Sequence, residues 1–191
     1  MNSFKKIVSY IMGKLSLLYL KIFGVRIKKN VRITGFPYLV NKGTFIIENN
    51  VKINSRYAAN PIGGQQFCTF FVSKNAQLLI NQGAGISNST IVCTNQITIG
   101  DFVKIGGDCK IYDTDFHALD FNQRINGDDA SISKPIIICE GAFVGAGSTI
   151  LKGVTIGKKS VIGAGSVVAK DIPENEIWAG NPAKFIRKLD S

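Results

Sequence analysis

Residues 138–168 read ICEGAFVGAGSTILKGVTIGKKSVIGAGSVV, and this stretch decides the fold. An aliphatic residue returns every six positions, at Ile138, Val144, Ile150, Ile156, Ile162 and Val168. An α-helix repeats its faces every ~3.6 residues and a strand every ~2, so neither accounts for a sustained period of six. A short strand followed by a tight turn does, if each strand sends one aliphatic side chain inward. Coils of this kind stack, pair their backbones and bury a continuous apolar column. A small residue often follows the aliphatic one, as at Gly145, Gly157, Gly163 and Ala169, where the chain must turn a corner without a clash.

The pattern extends upstream. Ile80, Ile86 and Val92 are six apart, and after a slip of one residue Ile99, Ile105 and Ile111 continue it, with Gly100 and Gly106 behind them. Between Ile111 and Ile138 the period breaks. Residues 118–135 are polar and acidic and predict a loop extruded from the solenoid. Residues 25–74 are more ragged. Their β-branched runs at 31–33, 44–47 and 51–53 alternate with Gly and Asn and predict strands joined by turns.

Residues 4–23 predict a helix. Ile7, Ile11, Leu15, Leu18 and Ile22 share one face, with Val8, Met12 and Tyr19 beside them. Lys6, Ser9, Gly13, Lys14 and Lys21 lie opposite, interrupted by Leu17 and Leu20. Two readings stand. The helix covers the open end of the domain or packs in an oligomer, or it lies on an anionic membrane surface. The chain thus divides into a helix at 1–24 and a solenoid at 25–188. Lys14 and Lys21 break the apolar stretch, no small-residue cleavage site follows it, and a spanning helix needs about 20 apolar residues in a row. The expectation is a cytoplasmic protein, with peripheral contact to the inner face of the membrane as the alternative placement.

The 191 residues suffice for one domain with a real core, and 45% hydrophobic residues argue against disorder. The net charge of +10 suits anionic lipid or phosphorylated small molecules. No block of basic residues interleaved with aromatics supports nucleic-acid binding. The cations gather at 1–32 and 184–188. Cys68, Cys93, Cys109 and Cys139 match no zinc spacing and read as reduced thiols, and no metal is expected.

The segment GAFVGAGSTILKGVTIGKKSVIGAGSVVAKDIPENEIWAGNPAKFIRK, with its pieces VTIG…VIGAGSVV and AGNPAK, resembles the hexapeptide-repeat acetyltransferases. The nearest group is the maltose/galactoside and surface-polysaccharide O-acetyltransferases. The resemblance covers residues 75–188, with weaker support from 25–74. It implies an all-β left-handed parallel β-helix, a homotrimer, and acetyl-CoA in a groove between subunits. Handedness rests on the resemblance alone, because parallel connections are usually right-handed.

His117 is the one histidine in the chain, and it stands where the regular coil ends and the loop begins. A lone histidine is ordinarily structural or on the surface. The resemblance makes this one the general base that takes the acceptor's hydroxyl proton, a step worth roughly 10²–10⁴-fold. It further implies the Ala146 amide as oxyanion donor. Gly145 and Ala164 would face the pantetheine arm, with Ala169 at the next corner, and Lys170 and Arg187 would meet the phosphates. Asn88 matches a position on the acceptor side, its bland alternative being a turn asparagine. Asp113 and Asp115 stand just before the histidine: one of them, with Asp115 the candidate for the acceptor, orients the imidazole or binds acceptor hydroxyls, or both are solvated loop acids. Lys184 and Lys188 fit ordinary surface charge.

The sequence departs from the family at three places. Phe143 stands where Trp is common, Ala169 where Thr often precedes the Lys-Asp pair, and Cys93-Thr94-Asn95 where sugar acetyltransferases carry an acid. The last departure argues against a simple maltose or galactoside acceptor. Arg124, Asp128 and Asp129 of the loop are candidates for the acceptor pocket.

The expected reaction is therefore acetyl transfer from acetyl-CoA to a sugar hydroxyl of a capsule or lipopolysaccharide precursor. N-acetylation of an amino sugar and O-acetylation of serine are the alternatives. A γ-type carbonic anhydrase, which shares the coil, needs three histidine ligands and is excluded by one. A solenoid scaffold is the non-enzyme reading, and it needs neither His117 nor CoA.

Overall fold

The computed structural model describes residues 3–64, 66–126 and 130–190. The expected all-β solenoid is present as a left-handed parallel β-helix with three faces. Face one stacks residues 26–27, 44–47, 77–80, 96–99, 136–138 and 155–156. Face two stacks 32–35, 52–55, 85–87, 104–105, 143–144, 161–162 and 176–179, and adds 184–188 as an antiparallel edge. Face three stacks 38–41, 69–72, 90–93, 110–112, 149–150 and 167–168.

The stacking follows from the period. Ile99 pairs in register with Ile80 and Ile138, Ile105 with Ile86 and Val144, and Ile150 with Ile111 and Val168. Each of these side chains is buried, so the aliphatic column predicted from the sequence is the core. A second inward position lies two residues before each column residue. On face one it stays bulky, as Phe45, Leu78, Ile97, Ile136 and Val154, and Phe45 meets the column residue Phe70 of face three at 5.2 Å between ring centres. On faces two and three it is small in the late coils, at Ala142, Ser148, Ser160 and Ser166, and the core narrows there. The buried hydroxyls of Ser148 and Ser166 donate to the carbonyl of Gly163, so narrowing leaves them partnered.

Val92 is a correction. Ile91, not Val92, pairs with Ile111 and fills the column, while Val92 is only half-buried. Side chains alternate along a strand, so a one-residue error in register moves a residue to the other face.

The first helix, α1, spans Ser3–Ile22, close to its predicted bounds, but it docks by the opposite face from the one its periodicity marks. Gly13, Ser16 and Leu20 are buried, whereas Ile7, Ile11, Leu15, Leu18 and Ile22 are exposed. The reason lies in the strand beneath. Residues 32–35 form the open edge of face two, where no further strand among the described residues pairs with their backbone. The Ser16 hydroxyl donates to Gly35 O at 2.7 Å. A Cβ on Gly13 would lie 2.4 Å from Ile33 O, so only a helix face of small residues approaches this closely.

Two segments leave the coil. Residues 56–68 cross from face two to face three through two short 3₁₀ turns, Tyr57–Ala59 and Pro61–Gly63. Residues 113–135 cross from face three to face one. The second contains a short helix, α2, at Phe121–Ile125, capped by Asp120 accepting from the Gln123 amide at 3.0 Å. This helix was not expected in a segment without apolar period.

Candidate functional site

The His117 excursion begins on a stem. Thr114 and Ser133 form an antiparallel bridge, and the Lys134 amide donates to Asp113 O at 2.9 Å. Asp113 is fully buried. Its carboxylate accepts from the Thr94 amide (2.7 Å), the Thr94 hydroxyl (2.8 Å) and the Asn95 amide (2.8 Å). This corrects the reading of Asp113 as a solvated loop acid or an acceptor ligand, since a carboxylate enclosed by three donors holds the Cys93–Asn95 corner in shape. Asp115 forms an ion pair with Lys152 of the next coil at 2.5 Å, with about one-fifth of either side chain exposed. That pair ties the loop to the solenoid two residues before His117.

His117 itself is exposed, at the tip of a turn in which Phe116 adopts φ of 66°. Arg124 donates to the carbonyls of Ala118 (2.7 Å) and Leu119 (2.6 Å). Its guanidinium therefore closes the loop on itself. Asp128 and Asp129 lie outside the described residues.

The corner between faces two and three carries the other candidates. Gly145 is buried, its amide donates to Ile162 O at 2.8 Å and its carbonyl accepts from the Cys109 thiol. A Cβ there would lie 2.6 Å from Ala164 N. Gly145 thus serves close packing of coils. The amides of Ala146 and Ala164 donate to no protein group among the described residues, whereas Gly147 and Gly165 complete the ladder by donating to Gly107 O and Ala146 O. Built Cβ atoms on Gly147 and Gly165 meet nothing closer than 3.9 Å. Ala146, Gly147, Ala164 and Gly165 therefore form an open track of backbone along the coil axis.

Below this track is a cleft of about 470 Å³, lined in part by Asn60, Ile62, Gly107, Phe143, Lys104 and Ala146. Residues 56–64 form its wall. They are anchored by Asn88, buried at φ of 41°, whose side-chain amide donates to Asn60 O at 2.9 Å. Asn88 Oδ1 is buried and has no hydrogen-bond partner among the described residues, and the side chain holds the wall of the cleft. Sequence reasoning missed this wall. Its signals were Asn60-Pro61 and Gly63-Gly64, both turn formers in a stretch already read as ragged.

At the far end of the track, Lys170 stands over the Trp178 ring at 5.0 Å. Arg187 is exposed on the edge strand 184–188 and donates to Lys188 O. Ala169 is exposed at the preceding corner. Cys68, Cys93 and Cys109 are buried and free, and Cys139 is half-buried and free. Burial pushes the thiol of Cys68 up to about 11 and that of Cys93 up to about 12, the latter helped by Asp113, so neither is a nucleophile. No group of three or more His, Cys, Asp or Glu that could hold a metal occurs among the described residues.

His117 leaves the corner between faces three and one, and Ala146 sits at the corner between faces two and three. One chain places them at separate corners of a triangular prism.

Residues 135–170 match the family described as bacterial transferase hexapeptide (six repeats). The match covers about one-fifth of the chain and lies within the stretch whose sequence resembles the hexapeptide-repeat acetyltransferases. Two yeast proteins named "Putative acetyltransferase" are each 44% identical to this chain. The Schizosaccharomyces pombe protein matches over 104 residues, 54% of this chain and 49% of its own length. The Saccharomyces cerevisiae protein matches over 102 residues, 53% of this chain and 50% of its own length. The chain thus spans about half the length of these relatives. Among solved structures, AntD, an N-acyltransferase from Bacillus cereus in complex with dTDP and 3-hydroxybutyryl-CoA, superposes with a TM-score of 0.72 at 22% identity, covering 92% of this chain and 89% of AntD. A hexapeptide-repeat acetyltransferase of Vibrio cholerae complexed with acetyl-CoA gives 0.61 at 24% identity, covering 100% and 91%. At these identities the likeness establishes the fold.

Proposed function

We propose that this protein transfers an acetyl group from acetyl-CoA to a hydroxyl of a sugar in a surface-polysaccharide precursor, as a homotrimer with His117 as general base. The observation that carries the reading is the Ala146 amide, unpaired among the described residues, at the head of an open backbone track, in a chain whose one histidine sits on an excursion tied down by Asp115 and Arg124. The track has no side chain over Gly147 or Gly165, which suits a slim pantetheine arm, and Lys170 and Arg187 stand toward its far end for the phosphates. The yeast relatives named as acetyltransferases and the acyl-CoA complexes of the structural neighbours support the donor.

In the step itself, His117 takes the hydroxyl proton as the acceptor oxygen attacks the thioester carbonyl. A carbon–oxygen bond forms, and the Ala146 amide donates to the oxyanion. Collapse breaks the carbon–sulfur bond, and His117 returns the proton to the departing thiolate. The two groups lie on different corners of one chain, so three-fold assembly would bring His117 of one subunit to the Ala146 corner of the next. The exposed apolar side chains of Leu119, Phe121 and Ile125 give such an interface something to cover.

Acylation of an amino sugar is the second reading, favoured by AntD, whose complexes include dTDP-4-amino-4,6-dideoxyglucose. Thiol release measured with matched hydroxy and amino sugar nucleotides separates the two. Release with neither class, together with no binding of CoA, refutes acyl transfer and leaves a scaffold.

A further inference from the structure

The face of α1 that carries its apolar period is not the face that packs. Ile7, Ile11, Leu15, Leu18 and Ile22 are between 51% and 71% exposed. The helix cannot roll to bury them. Gly13 lies against the backbone of Ile33, and Ser16 is hydrogen-bonded to Gly35, so another face would bring a side chain into the carbonyls of the strand edge. The apolar arc therefore points away from the coil stack by construction.

Charge identifies what covers it. Ser3–Ile22 contains no Asp or Glu. Lys14 and Lys21, expected opposite the apolar arc, in fact border it at the helical spacing, and Arg26, Lys28, Lys29 and Arg32 follow, all exposed. Lys14 and Arg32 line an open cleft of about 460 Å³ beside the helix, and neither is paired with a carboxylate among the described residues. A second copy laid on this face would set lysines against lysines with no acid on the helix to relieve them. An anionic bilayer satisfies both halves of the surface. The arc enters the acyl boundary while the lysines reach up to headgroup phosphates. No helix among the described residues is long and apolar enough to cross a membrane, so the contact is peripheral.

We propose that α1 is a membrane foot, fixed in orientation by its small-residue face, that seats the end of the β-helix on an anionic lipid surface. This stands independently of the acetyl-transfer chemistry.

The full chain is co-sedimented with vesicles of equal parts phosphatidylglycerol and phosphatidylcholine, and with phosphatidylcholine alone. Each lysine at an anionic surface contributes about fivefold, so the anionic vesicles are expected to bind at least about tenfold more tightly. Salt at about 0.5 M should remove most of that preference. Leu15→Ser with Leu18→Ser should cut binding by about tenfold or more at an unchanged melting temperature, because both side chains are exposed in the folded protein. Lys14→Ala with Lys21→Ala should abolish the preference for anionic vesicles. Equal binding to both vesicle types, or binding to neither, overturns the proposal. A wild type that ignores vesicles while the serine pair shrinks its particle mass in light scattering would show a second copy as the occupant, which also overturns it.

Discussion

Removing the Asp113 carboxylate tests whether this buried acid is a structural clamp. In Asp113→Ala the amide of Thr94, its hydroxyl and the amide of Asn95 each lose an acceptor at 2.7–2.8 Å. An unsatisfied buried donor costs about 1–3 kcal/mol. Asn95 is exposed and recruits water, and the Thr94 hydroxyl keeps Ser133 Oγ at 2.8 Å, so most of the loss falls on the half-buried Thr94 amide and the cavity. The expected total is about 3 kcal/mol. For a chain of this size 1 kcal/mol moves Tm by about 2–4 °C, so Tm should fall by about 6–12 °C. Asp113→Asn keeps one acceptor oxygen for Thr94 but turns an NH₂ toward the Asn95 amide, and should lose about half as much. Thr94→Val shares a partner with Asp113, so the double variant should be less destabilised than the sum of the singles by about 1 kcal/mol. Calorimetric unfolding gives all three values. An Asp113→Ala protein melting within about 2 °C of wild type, or strict additivity with Thr94→Val, would refute the clamp.

Gly145→Ala places a methyl 2.6 Å from Ala164 N and 2.7 Å from Ile162 O, both backbone atoms, and should lower stability by about 2–3 kcal/mol in urea unfolding. Gly147→Ala meets open space but sits at φ of 72°, so about 1 kcal/mol is expected, with weakened CoA binding because the methyl obstructs the track. His117→Gln should lower kcat by about 10²–10⁴-fold while Tm and CoA affinity stay unchanged, read by thiol release and calorimetry. Buried thiols make stability fall at alkaline pH. Cys68 titrates near 9.0 in the unfolded chain and about 11 when folded, and Cys93 near 9.0 and about 12. A raised folded value means the contribution is complete below pH 9 and is lost as pH climbs through 11 and 12. Unfolding curves across this window should flatten in Cys68→Ala with Cys93→Ala, and an unchanged slope would refute the assignment.

The column of Ile99, Ile105, Ile111 and Ile138 through Val168 was readable because each coil forces an aliphatic residue inward and a small one at the corner. The clefts were not readable in the same way. The wall at 56–64 depends on Gly63 lying flush on Asn88 and Gly107, contacts between coils that no single segment encodes. Asp113 and Asp115, two residues apart, take different roles because the chain has left the strand at Tyr112: Asp113 turns in to the Cys93–Asn95 corner, and Asp115, past the Thr114–Ser133 bridge, reaches Lys152. The helix carries this furthest. Its period announced an amphipathic element but left open what its apolar face meets, since a period records where apolar residues gather and not which neighbour claims them. The claim was settled by the edge of residues 32–35, which needed donors and close approach more than it needed bulk. Gly13 and Ser16 answer that need, and an apolar stripe freed from the fold by them is a stripe available to another surface.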